Sequence, residues 1–407
     1  MPHVVAGLAT PESIVVPDKM LEGAGLHVVV DEVSHVDAAK KRVRLSDGRE
    51  LGYDKLFLAM GASSFIPPIE GRELDGVLSL RSAADAEKIR AYIAEKNPKH
   101  LLFVGAGFIS LEIASLLAAD PNHPREITIV ELMDRPLPLM LDPDMAVPVA
   151  EYLSQKGFTI LTGEKVSKIL GSDGKVSGVE LDSGKTLDAD MVFINVGVRP
   201  NTQLAEAVGL EMGQFGIKVN SYQETSDPDI LAGGDCVEKI NFITGKPEGG
   251  RLRGPAVMQG RLAAKRLAGY DIQFPGVLNA GGCQMFDLVV TATGLTETDA
   301  KRHGFDTVCA VVDSRSKHAM IPGMLPWKIK LVFEKKSQRL IGGQIVSHTI
   351  GPSREIDAIS AFILGRRTIG ELTTFTSACN PDISSEPSAE PITIAAEQAL
   401  QKLRVAQ

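Results

Sequence analysis

Between residues 100 and 197 two kinds of apolar run alternate along the chain. Short runs rich in β-branched residues, HLLFVGAG, EITIVE and FTIL, predict strands, and the longer FISLEIASLLAA and PDMAVPVAEYLSQKG carry the 3.6-residue spacing of helices. Strands and helices in alternation predict a parallel sheet with helices on its faces. Two shorter runs, KVSGVELDSG and ADMVFINVGVRP, complete this segment. Upstream, residues 26–59 (LHVVVDEVSHVD, KRVRLSD and YDKLFLAMG) read as a small meander broken by turn residues, IPPIEG at 66–71 as a linker, and AADAEKIRAYIAE at 83–95 as an amphipathic helix. Within 219–270, TSDPDILAGGDC reads as a strand entering a buried turn, followed by the helix AVMQGRLAAKRLAG. Past residue 280 the order changes: the strands DLVVTATG, TVCAVVDS, WKIKLVFEKK and RLIGGQIVS precede helices near 354–365 and 388–403, as in a separate α+β domain.

With 407 residues the chain exceeds one core and is expected to form two or three domains. A formal charge of -8 and the absence of any long Lys/Arg block argue against nucleic-acid and anionic-membrane partners, which leaves small molecules. The start, MPHVVAGLATPESIVVPDK, lacks the basic and apolar regions of a secretory signal. Residues 101–119 are apolar enough to imitate a membrane span, but Glu112 and the glycines place them in a strand-turn-helix unit. Cys236, Cys283, Cys309 and Cys379 form no CxxC and no zinc spacing, so a reducing cytoplasm is the expected compartment.

The chemistry concentrates at VGAGFISLE, 104–112, between a predicted strand and a predicted helix. In that context Gly105 permits a tight turn, and Gly107 lets the backbone approach a pyrophosphate held by the free N–H groups of Phe108 and Ile109 at the helix start. Ser110 takes the third glycine position and is small enough for close helix-strand packing. Glu131 ends the next strand at the distance where a carboxylate accepts from ribose hydroxyls and repels a 2′-phosphate, so NADH is expected in preference to NADPH.

These pieces, together with YDKLFLAMGAS at 53–63, INVGVRPN at 194–201, TSDPDILAGGDC at 225–236, MQGRLAAKRLAG at 258–269 and FDLVVTATGLTETDAKRHGFD at 286–306, resemble the pyridine nucleotide-disulphide oxidoreductase family over nearly the whole chain. The branch most similar is that of the NADH oxidases and coenzyme A-disulphide reductases. The resemblance implies an α/β chain: two Rossmann-like dinucleotide-binding domains, the FAD domain incomplete and discontinuous (1–96 with 219–279), an NAD domain (97–218), and a C-terminal α+β dimerisation domain (280–407). It further implies that Gly234 and Asp235 meet the ribityl chain of FAD and that Ala59, Met60 and Gly61 form the turn beside the flavin. Val33 would lie near the adenine, Ala256 at the helix start near the flavin, and Gly197 beside NAD. Phe108 takes the place of the Tyr that often covers the flavin, with Glu112 one helical turn beyond it; the alternatives are a core Phe and a solvated acid at the helix start.

In that family a first GxGxxG loop precedes the segment that MPHVVAG resembles, and none is found before residue 100. The expectation is a chain that begins at an internal methionine, grips FAD only partially, and has poor solubility or needs a second chain. The implied activity is transfer of electrons from NADH through FAD to dioxygen or peroxide, to a small disulphide or persulphide of the coenzyme A type, or to a redox protein, in a homodimer. A non-catalytic NADH-binding module is the alternative. Cys379, in FTSACNPDISSEP, is weighed as a catalytic thiol at the expected dimer crossing and as a buried structural thiol, the latter preferred.

Overall fold

The computed structural model describes residues 1–405. Two compact units emerge, one of residues 1–10, 66–196 and 278 onward, the other of 11–65 and 197–277.

The first unit is built on a five-stranded parallel sheet. Its order is Val77–Leu78, Met191–Ile194, His100–Val104, Glu126–Glu131 and Thr159–Thr162. Strands covered on both faces read as continuous apolar runs, and Met191–Ile194 is buried along its whole length. Phe103 and Phe193 stack with ring centroids 4.5 Å apart, fixing the central pair. Helix Phe108–Ala118 packs its buried Leu111, Ile113, Ala114 and Leu117 into this core. Helix Ala83–Lys96 opens on a reciprocal capping box between Ser82 and Asp85 and closes on Asn97 in the left-handed region. The apolar stretch at 101–119 is thus a strand and a helix, and among the described residues no helix is long and apolar enough to cross a membrane.

The same unit carries an antiparallel sheet in the order Gly281–Met285, Leu288–Gly294, Leu340–Ser347, Pro326–Glu334 and Thr307–Arg315, with helices Glu355–Leu364 and Pro391–Val405 against it. A buried polar cluster ties this sheet to the start of helix Pro143–Gln155. The Lys330 ammonium, only 3% exposed, lies 2.9 Å from Asp144, 2.9 Å from Glu297 and 3.3 Å from Asp142. Asp142 also accepts from Glu297 N–H at 2.8 Å, Thr298 N–H at 3.0 Å, Thr298 Oγ1 at 2.8 Å and Gln344 Nε2 at 2.6 Å. Burial alone would raise the Asp142 acid range; hydrogen bonds from Gln344, Thr298 and Glu297 N–H, with the Lys330 charge, overcome it and hold the carboxylate ionised.

The second unit holds the expected meander, as Val33–Asp37, Arg42–Leu45 and Glu50–Gly52. It also has the parallel pair Leu56–Leu58 and Ile230–Ala232, and helix Arg253–Leu267. The run LHVVV at 26–30, expected as strand, is not one. No neighbouring strand offers it a ladder, and its Val30 is 84% exposed. Ile14, Val15, Val16, Met20 and Leu26 are exposed in the same stretch. Apolar side chains gathered in one exposed segment bind apolar dyes. Purified chain is expected to enhance anilinonaphthalene sulphonate fluorescence, and the double change V15D/V30D to lower that signal; an unchanged signal would mean the segment is covered in solution.

Candidate functional site

In the first unit, three adjacent parallel strands end in register. Val104 pairs with Val130 and with Ile194, so Gly105 and Asn195 each stand one step past the carboxyl end of a strand, level with Glu131, the last residue of strand Glu126–Glu131. The strand order reverses between His100–Val104 and Met191–Ile194, and a crevice at such a switch point is where open α/β sheets bind ligands. Gly105 has φ +95°, and a Cβ there would lie 3.2 Å from the Asn195 carbonyl oxygen, so both conformation and space require glycine. Helix Phe108–Ala118 starts from Gly107 with no side-chain cap and no acid in its first turn, which leaves its N–H groups and the positive end of its dipole for an anion.

Glu131 is buried, and both its oxygens are engaged. Oε2 accepts from Ala106 N–H at 2.7 Å and Oε1 from Met133 N–H at 2.8 Å. The carboxylate therefore fixes the glycine loop from behind while keeping lone pairs for a ligand. Phe108 is exposed, Ile109 half-buried and Ser110 buried, with the Ser110 hydroxyl finding no partner among the described residues. Glu112 is not in the first helical turn; it is half-buried, and burial raises its acid range against one backbone hydrogen bond from Gln284. Cys283, buried on the neighbouring strand, lies 3.7 Å from the Phe108 carbonyl oxygen.

In the second unit, the parallel pair brings two turns together. Leu58 lies beside Ala232, so Ala59, Met60 and Gly61 (φ +66°) leave one carboxyl end where Gly233, Gly234 (φ +82°) and Asp235 leave the other. Asn201 ties the first turn, its Nδ2 donating to the Met60 carbonyl at 2.9 Å and its N–H to that of Gly61 at 3.0 Å. Gln259 Oε1 accepts from Gly234 N–H at 3.0 Å, and the buried Lys239 ammonium donates to the Gly234 carbonyl at 2.7 Å. Burial lowers the Lys239 acid range and the nearby Asp235 opposes that shift. A Cβ on Gly234 would stand 3.7 Å from that of Ala256, which places the turn against the first turn of helix Arg253–Leu267, itself without a cap or an acid at its start. Two glycine-bearing turns beside an uncapped helix start fit the ribityl and flavin portion of FAD. Val33 pairs with Leu45 in the meander, and the Gly197 carbonyl (φ +127° at that residue) accepts from Phe65 N–H at 2.9 Å.

Cys379, preferred above as a buried thiol, is exposed. Its loop carries short polar residues that cannot cover it, and its Sγ points to the Ser377 carbonyl at 3.3 Å. Burial pushes the thiols of Cys236 and Cys283 up and that of Cys309 up to about 12, so none of these three is a ready thiolate. Sequence reasoning missed Asn195, Asn201, Lys239 and Gln259. For Asn195 and Asn201 the signal was present in INVGVRPN; Lys239 carries none, since only its burial makes it unusual.

A family model described as pyridine nucleotide-disulphide oxidoreductase matches residues 3–260, and one for the dimerisation domain of that family matches residues 282–389. The chain is 38% identical over 381 residues to a protein named NADH oxidase from Methanocaldococcus jannaschii, covering 92% of this chain and 83% of that one. It is 32% identical to the CoA-dependent NAD(P)H sulfur oxidoreductase of Pyrococcus abyssi, over 90% of this chain and 82% of the other. Among solved structures, the NAD-dependent persulfide reductase from A. fulgidus superposes with a TM-score of 0.92 at 34% identity, covering 99% of this chain and 76% of that one.

Proposed function

Because this chain belongs to the pyridine nucleotide-disulphide oxidoreductase family, we propose that it oxidises NADH through bound FAD and passes the electrons to dioxygen, working as a homodimer through residues 282–389. The observation that carries the NADH half is the Glu131 carboxylate, held by Ala106 N–H at the rim of the glycine loop. A fixed negative charge there accepts from ribose hydroxyls and repels a 2′-phosphate. The free N–H groups at the start of helix Phe108–Ala118 would hold the pyrophosphate, and exposed Phe108 would stand over the entry to the crevice. Gly234, Asp235, Ala256 and the Ala59–Gly61 turn would hold FAD, which when bound takes hydride from NADH and releases electrons to an acceptor.

Dioxygen as acceptor is favoured by the 38% identity to a protein named NADH oxidase. A second reading, reduction of a coenzyme A persulphide, is favoured by the likeness to the A. fulgidus persulfide reductase. FAD-loaded protein should consume NADH in air at a rate that falls under argon. If oxidation under argon instead requires coenzyme A persulphide and air adds nothing, the dioxygen reading is wrong. The reading as a non-catalytic module has no supporting observation.

A further inference from the structure

The side chain of Asn195, at the carboxyl end of Met191–Ile194, is used on one side only. Its Oδ1 accepts from Leu80 N–H at 3.1 Å, which fixes the orientation of the amide. Its Nδ2 is consequently a donor aimed the other way, buried, with no partner among the described residues. An unmet donor in a protein interior costs free energy that a ligand or water can recover. Asn195 is also adjacent to the dinucleotide loop: its carbonyl oxygen is the atom that a Cβ on Gly105 would meet at 3.2 Å, and its N–H donates to the Val104 carbonyl at 3.3 Å.

Strand order decides which part of a ligand reaches this donor. Glu131 flanks the loop strand His100–Val104 on one side and Asn195 flanks it on the other. A dinucleotide with its adenosine ribose at Glu131 and its pyrophosphate at the loop must continue toward Met191–Ile194, so its second riboside lies on the Asn195 side. We infer that Asn195 Nδ2 donates to the nicotinamide-riboside half of NADH, making Asn195 a positioning residue that separates the whole dinucleotide from its adenosine fragment. The inference rests on the NADH reading above.

Asn195→Asp tests it with little structural disturbance, because the retained oxygen still accepts from Leu80 N–H while the unmet donor becomes an acceptor. NADH and ADP are titrated into wild type and variant by calorimetry, and the ratio of their dissociation constants is compared. NADH should weaken ten-fold or more while ADP stays within about two-fold, so the ratio changes by at least about five-fold. An unchanged ratio overturns the inference. Should Asn195→Asp fail to fold, Asn195→Ala is read in the same way, since a ratio does not depend on the folded fraction. Wild type that binds ADP but not NADH would overturn the proposed function itself, whereas wild type that binds NADH with a ratio insensitive to Asn195 overturns only this assignment.

Discussion

Replacing Lys330 with methionine is expected to lower the unfolding free energy by about 3–5 kcal/mol, because it leaves buried carboxylates without their cation. Asp142 is 1% exposed and has no route to water, whereas Glu297 is 28% exposed and keeps its ion pair with Lys301, so the loss falls chiefly on Asp142. The loss also has a sign in pH. Burial would raise the acid range of Glu297, but the ammoniums of Lys301 and Lys330 outweigh it and hold the group down to about 2. A carboxyl lowered in the folded state contributes stability that is complete above its ordinary value of 4.5 and is lost as pH falls toward 2. Wild type should therefore weaken across that window. Without Lys330 the Glu297 acid range moves back up, so the gap between K330M and wild type should narrow on acidification. Urea melts at neutral pH and near pH 3 measure both effects; a gap under about 1 kcal/mol at neutral pH would show that the cluster is no more than a surface ion pair.

The second large effect is expected at Glu131. Removing its side chain in Glu131→Ala leaves the N–H groups of Ala106 and Met133 without their acceptor and takes the carboxylate away from the ribose. A ribose hydrogen bond to a charged acceptor is worth about 1.5–3 kcal/mol, so NADH should bind about 10–100 times more weakly. Glu131→Gln is not a mild control: an amide carries two hydrogens on one end, and that end would face an N–H donor whichever way it turned. NADPH should lose less than NADH, since the group that repelled its phosphate has gone. Fluorescence titration with both nucleotides gives the two constants. Equal losses for both would mean that Glu131 supports the loop without reading the ribose.

Much of the α/β framework was legible because its strands are largely buried and rich in apolar residues: HLLFV, EITIVE and MVFI form neighbouring strands. The glycine loop was legible because φ near +95° at Gly105 and its closeness to Asn195 leave no other residue type. Elements defined by pairing were not. GGCQM at 281–285 has little intrinsic strand character and is a strand because residues 288–294 pair with it, while LHVVV has the character and lacks the partner. Strand Val166–Ser172 escaped for the same reason, being held by its hairpin with Lys175–Leu181. At the site, the residue types could be named but not their wiring. That Glu131 grips Ala106 depends on the register of two strands, and that Lys330 meets Asp142, Asp144 and Glu297 depends on contacts across nearly 190 residues of chain.

We propose that NADH binds at the carboxyl ends of the parallel strands of the first unit and flavin at the glycine turns of the second. Anaerobic addition of NADH to FAD-loaded protein, followed by the visible absorbance of the flavin, tests both together. Stoichiometric NADH should bleach the flavin, and NADPH should do so at least ten-fold more slowly, a discrimination of the size a buried carboxylate at the ribose supplies. Flavin that binds and stays oxidised under excess NADH, or that NADPH reduces equally fast, would contradict the proposal.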